Sequence, residues 1–375
     1  MTPRAALRPT SLTESERALQ QQVRRWLADR LPVGSHPPGL GMAAAADPVF
    51  SADLGAQGWL GMSLPPEYGG GGRTAVERQI VVEELLSRGA PVAYHWVADR
   101  QSGPSIAAVG SEEQKATYLP GIARGEFCFA IGMSEPGAGS DLAAVRARAV
   151  PADGGWRIDG TKIWTSGAAW ATHILGLFRT SDDRHGGLTQ FIVDTRTPGV
   201  GIAPITFIDG SKDFCEVTFD NVVLPSSAVL GEVGGGWGQN TGELALERGG
   251  VDRWLSPAVL VDEWAAQPDA DSRELALAAA SLWAFRGMSL SIARMVDTGQ
   301  RPVQLAALVK EMATRFEQDT VEAVSRWQGR LPDPDEPAGL LSRAVLAAPS
   351  WTIRGGTTEI LRTVIAKGMI RDVHR

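Results

Sequence analysis

Two stretches of this 375-residue chain gather residue types able to hold a bound group and act on it. The first, Ile131 to Asp141, sets three glycines, a proline and two serines within eleven residues. Glycine lets the backbone approach a ligand closely, and N–H groups exposed there can bind a flavin edge or a phosphate. A glycine-rich turn leading into strands accounts for the same composition. The second, Gly160 to Gly167, puts an aromatic plane beside hydroxyls: Trp164 is placed to cover an isoalloxazine ring while Ser166 donates a hydrogen bond to it. With 12 tryptophans in the chain, a place in the core is the alternative for Trp164. Cys128 and Cys215 stand apart from any CxxC or Cys/His grouping, so neither a disulfide framework nor a metal site is expected.

The elements that must position these stretches change character along the chain. From Leu12 to about Gly125 the apolar period is helical, as in Leu19, Val23, Trp26 and Leu27, with a break at Pro65 to Gly72. Ser11, Thr13, Glu14 and Glu16 read as a helix-capping cluster. Between Phe127 and about Gly234, short β-prone runs at 156–160, 174–178, 191–193 and 214–219 alternate with turn residues, which suggests a small antiparallel barrel or sandwich. Long helices are predicted over Arg273 to Met295 and Val303 to Trp327, followed by a Pro-rich break at 331–337. The fold class is therefore α+β, with the expected domains at residues 1–126, 127–233 and 234–375.

A formal net charge of −7 repels a phosphate backbone, so nucleic-acid binding is not expected. No apolar run reaches the roughly 20 residues that span a bilayer, and the N-terminal stretch lacks a secretory core; the expectation is a cytoplasmic protein with no membrane insertion.

Taken in order, Gly58-Trp59 through Pro65-Pro66-Glu67-Tyr68-Gly69-Gly70, Gly110 to Lys115, Ser134 to Asp141, Gly160 to Trp164, Glu216 to Val222, Glu247-Arg248 and Gly356 to Arg362 resemble the acyl-CoA dehydrogenase family over nearly the whole chain. The resemblance implies a helical N-terminal domain, a central β-barrel, a C-terminal four-helix bundle and FAD as the cofactor. It places Met133 and Ser134 against the flavin ring, Ser140 near the thioester or CoA, Trp164 and Ser166 beside the hydride-accepting nitrogen, and Thr357 and Glu359 on FAD. Arg248 is expected at the substrate.

The implied reaction is α,β-desaturation of an acyl-CoA or acyl-carrier-protein thioester, with a buried carboxylate taking the α-proton and the electrons passing to an electron-transfer flavoprotein. Many members carry that glutamate just before the Gly-Thr of the last motif, where this chain has Gly355. Others carry it at the position of Glu247, which is the candidate base here, with Glu243 one turn earlier as its rival. An Arg-x-x-Phe-Gly segment typical of homotetrameric members is missing near 300–305, a gap shared with members that assemble as heterotetramers. A homo-oligomer and a heterotetramer with a related subunit both stay open. So do a non-catalytic partner subunit and a flavin oxidase or monooxygenase on the same fold.

Overall fold

The computed structural model describes residues 6–42, 44–240, 248–329 and 339–373. Its helices in chain order are α1 (Glu14–Arg30), α2 (Pro48–Ala56), α3 (Ala75–Ser87), α4 (Ala93–Val97), α5 (Gly103–Val109) and α6 (Glu112–Ala123), then α7 (Ala258–Ala265), α8 (Ser272–Asp297), α9 (Val303–Gln328), α10 (Leu340–Ala347) and α11 (Thr358–Val373). The strands are β1 (Phe129–Gly132), β2 (Arg148–Ala152), β3 (Gly155–Ser166), β4 (His173–Arg179), β5 (Leu188–Asp194), β6 (Val200–Ile205), β7 (Phe214–Pro225) and β8 (Val229–Leu230). The chain divides into two compact units, residues 1–44, 74–90 and 244–375 in one and residues 45–73 and 91–243 in the other.

The first unit is helical. Thr13 caps α1 reciprocally with Glu16, as the sequence predicts, and Thr74 caps α3 with Glu77 in the same way. α3 packs on α1 and α8, and α9 packs on α8 and α11. Leu12, Val76, Ile80, Leu290 and Ala293 form one apolar seam; Trp264, Val321, Val324, Leu341 and Trp351 belong to another. The predicted long helices are present with ends within a residue or two; the Pro-rich break at 331–337 lies outside the described residues. α8 differs from expectation in one respect. Its charges interrupt every apolar run, yet an 18-residue window has a mean hydropathy of 1.4, long and apolar enough by composition to cross a membrane. Alanines, leucines and other apolar residues between the charges raise that average, while the charges leave no unbroken run. In this unit it packs on α3, α7 and α9.

The second unit is built on one sheet of order β6-β7-β3-β2-β4-β5-β8, with β1 paired to β4. All four predicted strand runs fall inside β3, β4, β5 and β7. The expected antiparallel arrangement is mixed, because β1 and β2 each pair with β4 in parallel. In β7, Cys215, Val217 and Phe219 are buried while Thr218 and Asp220 are exposed, the period of two expected when one face meets a core. β4 and β5 are buried on both faces, and α5 and α6 cover one of them through Ile106, Leu119 and Ile122 against Phe129, Leu175 and Ile192. The Gly110 to Lys115 motif is a helix start: Ser111 and Gln114 cap α6 reciprocally, and Gln114 Nε2 also donates to the carbonyls of Ser227 and Val229 at 2.8 and 2.9 Å.

Candidate active site

In the sheet unit, the two motif loops are joined by buried charge. The Glu135 carboxylate accepts from the backbone N–H groups of Arg146 (2.6 Å) and Ala147 (2.9 Å) and from Lys162 Nζ (2.8 Å). Lys162 is fully buried, also donates to the Met133 carbonyl at 3.3 Å, and lies over the Phe178 ring at 5.1 Å. Burial pushes its ammonium down to about 8, with Glu135 opposing the shift. Ile163 N donates to the Ser134 carbonyl at 2.9 Å, which sets the Ser134 loop directly beside the Trp164 segment. Two segments separated in sequence are thereby brought together.

Trp164 stands at a register shift in the β3–β7 pairing, between Lys162 and Thr165. Its φ of +59° is left-handed, a conformation that costs an aromatic residue roughly 1–2 kcal/mol. Trp164 is 51% exposed, and its ring stacks on Phe207 with centroids 6.3 Å apart. A strained bulge that turns a large aromatic outward is a poor use of a tryptophan for stability and a good one for covering a planar ligand. Its neighbour Thr165 keeps a buried Oγ1 with no hydrogen-bond partner. Ser166 is exposed, and Gly137 and Gly139 have open space where a side chain would stand. These features fit a flat, polar-edged group such as a flavin. Met133 is half-buried against Ala138, Val145 and Leu177, and Ser140 is exposed.

In the helical unit, a turn at residues 352–356 is held by cations on its carbonyls. Lys310 Nζ donates to Thr352 O (3.1 Å) and Gly356 O (3.0 Å), and Arg248 Nε donates to Gly355 O (2.9 Å). Arg354 reaches Glu317 Oε2 at 2.5 Å and Ser256 Oγ at 2.9 Å. Burial lifts Glu317 to about 7 against the pull of Arg354. Burial, reinforced by Arg253 and Arg354, lowers Lys310 to about 8. Gly355 has φ +64°, and a Cβ there would lie 3.2 to 3.4 Å from the Arg253 guanidinium. Thr357 Oγ1 accepts from Ile360 N at 3.3 Å and so caps α11, on whose first turn Glu359 is exposed.

Of the residues picked out by sequence, Met133 and Ser134 on the segment after β1, Ser140, and Trp164 and Ser166 at the end of β3 lie in one unit, and Arg248, Thr357 and Glu359 in the other. Arg248 is buried with its Nε on a backbone carbonyl. Glu247 and Glu243 lie outside the described residues. Sequence reasoning passed over Glu135, Lys162, Lys310 and Glu317. The one signal for Lys162 was a charge in a strand between Ile158 and Thr165, both of which point inward. Among the described residues no cluster of His, Cys, Asp and Glu is placed to hold a metal.

Family models for the acyl-CoA dehydrogenase N-terminal, middle and C-terminal domains match residues 13–126, 130–222 and 261–370. Acyl-CoA dehydrogenase FadE34 of Mycobacterium tuberculosis is 34% identical over 88% of this chain, which spans only 47% of that protein's length. Acyl-CoA dehydrogenase FadE29 of the same organism is 30% identical, with 95% of this chain and 96% of the relative covered. Among solved structures, the Tcur3481-Tcur3483 steroid ACAD superposes with a TM-score of 0.84 at 30% identity, covering 96% of this chain and 98% of that one. The ChsE4-ChsE5 complex from Mycobacterium tuberculosis does so with a TM-score of 0.77 at 27% identity, covering 96% and 97%. Matched by all three domain models and by a relative covered nearly end to end, the chain belongs to the acyl-CoA dehydrogenase family of oxidoreductases.

Proposed function

We propose that the chain catalyses FAD-dependent α,β-desaturation of an acyl thioester with Glu247 as the base. The observation that carries this reading is the Gly355 turn. Left-handed backbone and the Arg253 guanidinium leave no comfortable place for a carboxylate at residue 355, so the base must come from elsewhere. Arg248, the chain neighbour of Glu247, is hydrogen-bonded to that same turn. Ser134, Trp164 and Ser166 would hold FAD, which supplies the hydride acceptor when bound. Trp164 covers the ring, the Glu135–Lys162 pair fixes the loop that carries Ser134, and Glu247 takes the α-proton. Removing a positioned base costs about 10² to 10⁴ in rate.

The same reading includes a CoA or carrier-protein thioester, transfer of electrons to an electron-transfer flavoprotein, a cytoplasmic location and domains at 1–126, 127–233 and 234–375. It also includes assembly as a homo-oligomer or as a heterotetramer, the latter supported by the likeness to the ChsE4-ChsE5 complex. Gly355 favours one rival, a non-catalytic partner subunit. Stopped-flow flavin bleaching by a panel of acyl-CoAs separates them: the parent protein bleaches, Glu247→Gln keeps FAD but not bleaching, and Glu243→Gln behaves as the parent. A bound but unbleached flavin in the parent selects the partner-subunit reading, and normal bleaching by Glu247→Gln removes Glu247 from the role.

A further inference from the structure

Phe207 lies on the connection between β6 and β7, residues 206–213, in the same unit as Trp164. Backbone hydrogen bonds fix its place: Phe207 N donates to Ser211 O and Gly210 N donates to Phe207 O, each at 2.9 Å. Ser211 N also donates to Asp209 Oδ1 at 2.9 Å, and Gly210 takes the left-handed φ of +78° that so tight a return needs. The return sorts two adjacent apolar side chains. Ile208 is left 92% exposed, whereas Phe207 is half-buried. The Phe207 ring stacks on Trp164 at 6.3 Å and 19°, and meets Phe214 edge-on at 5.3 Å and 83°. Gly167 N donates to Asp213 O at 2.8 Å, so the far end of the same connection is fastened just beyond Ser166. The connection is thereby tied to the Trp164 segment near both its ends.

Trp164 has need of such a hold. At the register shift between Lys162 and Thr165 the ladder does not fix its backbone, and about half of the residue is open to water. An exposed tryptophan free to change rotamer has to be immobilised when a ligand lands on it, which weakens binding. A ring already held against a second ring has that ordering behind it. One face of the indole is taken by Phe207, which leaves the opposite face for a planar ligand. We propose that Phe207 is a positioning residue for the flavin: it presets the plane of Trp164 and decides which face of that ring the flavin meets. The inference rests on the reading above in which Trp164 covers the flavin.

Fluorescence titration of the stripped protein with FAD tests it, on the parent, Phe207→Leu, Phe207→Tyr, Trp164→Gly and the double variant Trp164→Gly/Phe207→Leu. Leucine keeps apolar bulk without a plane, and tyrosine keeps the plane. Phe207→Leu should weaken FAD binding about three-fold, roughly the worth of one aromatic pair, while Phe207→Tyr binds as the parent does. Because Phe207 acts through Trp164, the leucine change should add nothing in the double variant. Denaturant melts show that each variant is folded; if Phe207→Leu is not, Phe207→Met takes its place. Parent-like affinity in Phe207→Leu overturns the proposal, as does a further three-fold loss in the Trp164→Gly background or a Phe207→Tyr variant as weak as the leucine one. The reading beneath it fails separately. FAD affinity untouched by Trp164→Gly takes Trp164 off the flavin and the proposal with it, whereas a loss in Trp164→Gly with none in Phe207→Leu removes Phe207 alone.

Discussion

Arg248 Nε donates to the carbonyl of Gly355 at 2.9 Å, so the residue that follows the candidate base is bound to the backbone where many relatives of this chain would carry theirs. The contact makes the glycine more than a missing carboxylate. Lys310 holds the carbonyls of Thr352 and Gly356 on either side of it, Arg248 holds its own carbonyl, and Arg253 fills the space in front of its Cα. The turn is built around having no side chain.

Gly355→Ala should therefore lower stability by about 1–2 kcal/mol, the cost of a Cβ in left-handed backbone. Gly355→Glu adds crowding at Arg253 and should not restore flavin reduction to Glu247→Gln. Denaturant melts of the single variants and bleaching of the double one check this. An alanine variant as stable as the parent would count against the built-for-glycine turn.

Lys162→Met strands the Glu135 carboxylate in a buried site and should cost about 3–5 kcal/mol, part of which Glu135→Gln should return in the double variant. The pair also leaves a mark in alkali. With the folded Lys162 near 8 and the unfolded one near 10.5, the unfolded chain holds one more proton in that window. Stability contributed by this group therefore rises as pH goes from about 8 to 10.5 and is lost as pH falls back through 8. Melts at pH 7 and pH 10 should show that rise in the parent and not in Lys162→Met.

Trp164→Gly relieves a left-handed tryptophan while giving up a half-exposed ring, so folding should change by less than about 1 kcal/mol in either direction. FAD affinity should fall by about ten-fold, roughly the strength of one stacked aromatic contact. Fluorescence titration of the stripped protein with FAD measures it; unchanged affinity would make Trp164 a surface residue and nothing more.

Trp283 is 77% exposed on α8, with Leu277 on the same helix 53% exposed. The proposed assembly would need exposed apolar side chains of this kind for its contact with another chain. Trp283→Ser should shift the protein toward smaller species in light scattering at micromolar concentration, and an unchanged mass distribution would clear this face of any part in assembly.

Some of the molecule can be read from residue order because the residues write backbone geometry. Thr13 with Glu16 and Ser111 with Gln114 announce helix starts at short range, and the alternation in Phe214 to Phe219 announces a strand with one wet face. The pairing of β1 and β2 with β4 is not legible, since parallel neighbours are set by packing between distant segments. The same holds for the site. Ser134 and Trp164 belong to visible motifs, but what joins them is a hydrogen bond from Ile163 and a buried lysine, and a lysine's letter carries no sign of burial. Arg253 facing Gly355 joins residues 102 positions apart and has no local pattern at all.

The composition of α8 has a consequence for the making of the protein. The helix is apolar enough to pass for a membrane span, and one of its partner helices, α9, ends 31 residues after it, at Gln328 against Asp297. At a synthesis rate of about 5–20 residues per second, a nascent chain carries this segment for roughly 2–6 seconds before that partner is complete. During that interval only earlier elements such as α3, α7 and the Leu12 segment are available to shield it, so the segment is a natural stretch for a chaperone to hold. A chain cut after Asp297 would keep the sticky face and lose its cover, and should come out of cells as aggregate.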